Sequence, residues 1–117
     1  MEEKLKILFE AGIIDHDTRV GVLKASEMIC DKYSLPTDLE QLSMAMVHLA
    51  NAAMRIKNGT PITNGLNEDI LEEIQSDDSF NCINQFNDTL CQLVGLVSVP
   101  REENSFLLSN LYSLSLL

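Results

Sequence analysis

Between Leu39 and Ile56 the apolar residues Leu39, Leu42, Met46, Leu49, Ala53 and Ile56 fall at alternating steps of three and four. Only a helix brings such positions onto one side, so this stretch fixes an α-helix with a core-facing seam. On the same helix His48, Asn51 and Arg55 stand at i, i+3 and i+7 and form an adjoining polar stripe. One helix therefore packs through its seam and presents an imidazole, an amide and a guanidinium beside it.

The flanking sequence repeats the helical pattern. Glu2 to Ala11 predicts a short amphipathic helix with Leu5, Leu8 and Phe9 on one face, stopped by Gly12. Asp15 or Asp17 can cap a helix to about Tyr33, with Val20, Leu23, Ile29 and Cys30 as its buried residues and Gly21 weakening its first turn. Thr37-x-x-Glu40 reads as a capping box that starts the central helix at Asp38, and Asn58-Gly59 ends it after Lys57. Asn64 or Asn67 opens a short helix to Gln75, with Leu66, Ile70, Leu71 and Ile74 inside. Ser76-Asp77-Asp78 caps a helix from about Ser79 to Leu93, whose apolar face is Phe80, Ile83, Phe86 (or Asn87) and Leu90; Gly95 closes it. Pro100 fits the first turn of a last helix, with Glu102 and Glu103 near the positive end of its dipole. From Phe106 to Leu117 that helix is apolar or small nearly all round, which calls for cover by its own domain or by a second chain. A homo-oligomer contact is the expectation. No segment alternates as a strand does. The fold class is all-α, a bundle of five main helices with a short extra N-terminal helix.

Charge narrows the partners. The 117 residues carry a net charge of −10, the reverse of what direct nucleic-acid or anionic-membrane binding requires. No apolar run reaches the ~18 to 20 residues of a membrane span. The N-terminal segment lacks the basic start and long apolar centre of a secretory signal. Cys30, Cys82 and Cys91 are odd in number and lack metal-type spacing, so they read as packing residues of a reduced, cytoplasmic protein.

Of the chemistry-bearing residues, His48 stands out. A neutral imidazole at pH 7 offers a ring lone pair as nucleophile toward a phosphoryl group, and the Arg55 fork matches phosphate oxygens. His16, between Asp15 and Asp17, reads as a solvated cap residue. Two distant histidines without clustered cysteines make no zinc site, and no cofactor is implied. No glycine-rich phosphate loop, nucleophile elbow or Ser/His/Asp set is present, so the expectation is a non-enzyme.

At HLANAAMRIKNG and at VPREENSFLLSNLYSL the chain resembles a PTS regulation domain, the helical module through which bacterial antiterminators and activators sense sugar uptake by the phosphotransferase system. The resemblance runs from about Asp15 to the C-terminus, so it implies a domain over residues 15–117 preceded by a helical extension over 1–14. It implies two antiparallel helix pairs plus a crossing helix, a homodimer, and a phosphoryl group supplied by the phosphocarrier protein or a sugar-transporter subunit. By the resemblance His48 falls on the family's first phosphorylatable histidine and Arg55 on the arginine seven residues later, with Asn51 beside them. The second histidine's position holds Asn110, which can hydrogen-bond across a dimer contact but cannot carry phosphate. One copy of the module without a basic reader domain implies a stand-alone regulator of a protein partner. The alternatives are a dimerisation or adaptor domain without phosphorylation, and a small enzyme or enzyme subunit acting on a sugar-derived metabolite.

Overall fold

Local capping and close packing decide where each helix sits. A computed structural model describes all residues, Met1–Leu117, as six α-helices without strands: α1 (Glu2–Glu10), α2 (His16–Tyr33), α3 (Glu40–Lys57), α4 (Glu68–Gln75), α5 (Phe80–Leu93) and α6 (Arg101–Ser115). The all-α reading holds. The long helices close a ring in which α2 packs on α3 and α5, and α6 packs on the same two; α1 rests on α2 and α4 on α6. The radius of gyration is 13.5 Å, against about 13 Å for a compact chain near this length.

Asp15 supplies the α2 cap, accepting the Thr18 N–H at 2.7 Å. Asn67 does the same for α4, accepting from the N–H groups of Asp69 and Ile70. The expected capping box at Thr37 and Glu40 does not form. Leu39 N–H donates to the Pro36 carbonyl, so Thr37 and Asp38 lie in a turn and α3 begins two residues late, at Glu40. At its far end α3 stops as expected. Gly59 takes φ +74°, and the N–H groups of Gly59 and Thr60 return to the carbonyls of Ile56 and Arg55.

The seam of α3 is buried as its spacing requires: Leu42, Met46, Leu49 and Ala53 are in the core, with Leu39 and Ile56 at its edge. Two faces are rotated from expectation. In α2 Ile29 and Cys30 are buried as expected, but Val22 and Ala25 join them in the core, Leu23 is half-buried and Val20 is exposed. The cause is Gly21: a Cβ there would lie 2.1 Å from the Leu93 carbonyl oxygen, so α2 lays its bare backbone on the end of α5 and turns Val20 outward. In α4 only Leu71 and Ile74 are buried, and Ile70 is exposed, because this eight-residue helix packs mainly on α6 through one face.

Within the chain, α6 packs on α3, α4 and α5 with Leu107, Leu108, Leu111 and Leu114 buried, while Leu116 and Leu117 are exposed. One further expectation is corrected. Cys82 is an exposed thiol, whereas Cys30 and Cys91 are buried packing residues. Leu5 of α1 is fully buried in the same core as the long helices. No helix is long and apolar enough to cross a membrane.

Candidate functional site

The polar stripe of α3 opens on a shallow depression of about 380 Å³ lined by Lys4, Met44, Val47, His48, Asn51 and Arg55. The His48 ring is partly exposed and tilts against Phe106 of α6, with ring centres 6.2 Å apart. Its Nδ1 meets the Asn110 side-chain amide nitrogen at 2.9 Å, while Nε2 has no partner in the chain. An asparagine amide can serve either tautomer by exposing its nitrogen to a bare Nδ1 or its oxygen to an Nδ1–H. In the second arrangement Nε2 carries the free lone pair. Burial holds the imidazole below its ordinary value of 6.5, helped by the Arg55 charge and opposed by Glu103. The ring is therefore neutral at pH 7, the state a nucleophile needs.

Arg55 is already engaged. Its Nε and Nη2 donate to the two carboxylate oxygens of Glu103, both at 2.9 Å, a bidentate fork. Nη1 makes no hydrogen bond within the chain. The two partners differ in exposure: the Arg55 side chain is 33% accessible and Glu103 is 0%. Glu103 also accepts the Ile62 N–H at 3.3 Å, tying the connection after α3 to α6. The Arg55 bond holds the Glu103 carboxyl below its usual range despite burial.

Each sequence-selected residue is thus placed. His48, Asn51 and Arg55 share one opening, and Asn110 reaches His48 from α6 within the same chain. His16 stays apart, its ring against Phe9. No group of three or more His, Cys, Asp or Glu side chains is close enough to hold a metal ion.

No protein-family model matches the chain, and no solved structure matches it. A relative is 35% identical over 114 residues, covering 97% of this chain and 93% of the other. It is the uncharacterized protein YhfY of Escherichia coli (strain K12). The chain belongs to the YhfY family.

Within this YhfY-family fold, two site residues escape a reading of the sequence. Glu103 looks like a dipole-complementing acid, yet it stands four residues before Leu107 and eight before Leu111, on the core side of α6. That spacing was the available signal. Lys4 has no such signal, because only the seating of α1 brings it to the stripe of α3.

Proposed function

We propose that this chain is a regulatory module resembling a PTS regulation domain, which accepts a phosphoryl group on His48 and passes the change to a protein partner. One observation carries the reading: a partly exposed imidazole, held at Nδ1 by Asn110 and without a partner at Nε2, lines a depression together with Arg55. Asn110 sits where the resembled family has its second histidine. There it bonds His48 directly and leaves one phosphorylatable ring.

In the proposed reaction the Nε2 lone pair of His48 attacks the phosphorus of a phosphohistidine on the phosphocarrier protein or transporter subunit. A new N–P bond forms, the donor's N–P bond breaks, and its electron pair returns to the donor imidazole. The step uses the Asn110 amide turned over from its arrangement here, so that its oxygen accepts the Nδ1–H hydrogen bond and Nε2 is left bare. Arg55 offers Nη1 to the phosphoryl oxygens while Nε and Nη2 hold Glu103, whose negative charge is thereby shielded from the incoming group.

The product adds about two negative charges, by analogy with other phosphorylated side chains, to a chain at −10. In a homodimer the added charges bias the association wherever the two sites approach each other. A cytoplasmic location follows from the donors. The test is incubation with the general phosphotransferase proteins and phosphoenolpyruvate, comparing the parent with His48→Ala of verified helical content. Label on the parent alone supports the reading; equal label on both, or none on either, rejects it.

A second reading, an adaptor domain without phosphorylation, is favoured by the commitment of Arg55 to Glu103, which suffices as a structural clamp between α3 and α6. Under it, Arg55→Gln and His48→Ala alter stability and association alone.

A further inference from the structure

We infer that Lys4, from α1, is a phosphoryl-binding residue of the His48 site, so that the N-terminal helix completes an anion pocket that α3 only begins. The inference rests on the phosphoryl reading of His48 and deepens it. Lys4 lines the same depression as His48, Asn51 and Arg55. It takes part in no ion pair, although the chain carries 18 acidic residues against 8 Lys and Arg. Lys6, Arg55, Lys57 and Arg101 pair with carboxylates, and Arg19 and Lys32 lie over the Phe9 and Phe86 rings; Lys4 and Lys24 do neither, and of these two only Lys4 lines the depression of His48. Two basic residues, Lys4 and Arg55, line one depression, and the first has no carboxylate partner, so the opening suits an anion from outside. No Asp or Glu lines the depression.

The seating of α1 explains how the position is kept. Leu5, the next residue, is fully buried in the main core, and Asp15 anchors the following helix through Thr18 and Lys57. Lys4 thus leaves a fixed point of the backbone, and its long side chain spans the gap to the stripe of α3. Its three donors suit the spread charge of a phosphoryl group better than a single carboxylate. Arg55 grips one side of that group and Lys4 the other, with His48 Nε2 between them. Met44 and Val47 supply the apolar part of the lining.

The experiment has two arms on the full chain, using the parent, Lys4→Gln, Lys4→Arg and the control Lys24→Gln on the exposed side of α2. In the first, inorganic phosphate is titrated at low ionic strength while NMR follows the His48 ring. The parent shows saturable shifts, Lys4→Gln weakens binding about fourfold, as loss of one partly solvated charge contact does, and Lys4→Arg and Lys24→Gln bind as the parent. No saturable shift in the parent, or equal weakening by Lys4→Gln and Lys24→Gln, overturns the inference. In the second arm, phosphoramidate serves as a small phosphoryl donor and phosphorus NMR reads phosphohistidine. Slower formation or faster loss in Lys4→Gln alone supports the inference, and equal labelling of all four chains rejects it while leaving the phosphoryl reading intact. Phosphate binding that depends on Lys4 with no phosphohistidine formed leaves the anion pocket standing and removes the transfer reading.

Discussion

Glu103 and Arg55 act on His48 in opposite directions, and single substitutions separate their contributions. The carboxylate lifts the His48 proton affinity and the guanidinium lowers it. Glu103→Gln therefore moves the His48 titration further below 6.5, and Arg55→Gln moves it up, both readable by NMR of the ring. Each variant also strands a charge, Arg55 in the first and a fully buried Glu103 in the second. A loss of about 3 kcal/mol is expected for Arg55→Gln, within the range for breaking a buried pair, and denaturant unfolding measures it. The pH dependence has a defined sign. His48 is depressed in the folded state, so its contribution is whole above pH 6.5 and is lost as pH falls through its folded value. Glu103 is depressed below 4.5, so its contribution survives the first step and is lost only at lower pH. His48→Gln should abolish the first decline and keep the second; a variant with the parent's full profile means that His48 does not resist protonation.

At the scale of the helix, the chain was legible wherever spacing alone decides. The α3 seam, the Gly59 and Gly95 stops and the α5 face could all be read, because apolar period and turn chemistry act within one element. What escaped depended on a second element. Val20 is large and apolar, so it looks like a core residue, but the contact that rotates α2 is made by the absence of a side chain at Gly21. The Glu40 start of α3 was hidden because Pro36 offers a carbonyl that captures Leu39 before the capping box can close. These two kinds of control give opposite predictions for small changes on α2. Gly21→Ala forces a methyl into the Leu93 carbonyl and should destabilise by about 2 kcal/mol or more despite alanine's better helix propensity. Ser34, which ends α2 at φ 54°, bears the left-handed cost that glycine avoids. Ser34→Gly should therefore stabilise by about 0.5 to 1 kcal/mol. Chemical denaturation of the pair decides the matter, and a neutral Gly21→Ala would mean that α2 and α5 are not in backbone contact.

For the molecule as a whole, charge sets the balance between local pairing and global repulsion. The chain holds 18 acids and 8 Lys and Arg, so its folded form repels itself at neutral pH. Its exposed pairs, Lys6 with Glu10 and Arg101 with Glu68, contribute little, about 0 to 1 kcal/mol each. The Arg55–Glu103 pair is shielded by burial of the acid and is screened least. Salt should therefore remove more repulsion than attraction. Raising sodium chloride from about 0.02 M to about 0.5 M shortens the screening length several-fold and should raise Tm, as a thermal melt at neutral pH will read. A fall in Tm would mean that the weak surface pairs matter more than the net charge. The same measurement bears on the proposed switch. A phosphoryl group on His48 adds about two negative charges beside a ring already paired to Asn110, in a site where Arg55 keeps one free donor nitrogen and is otherwise bound to Glu103. If Lys4 and that nitrogen meet the group, the added charge is neutralised where it arrives, and the phosphorylated protein keeps the parent's salt response. If they do not, the extra repulsion spreads through the fold, and phosphorylation steepens the rise of Tm with salt.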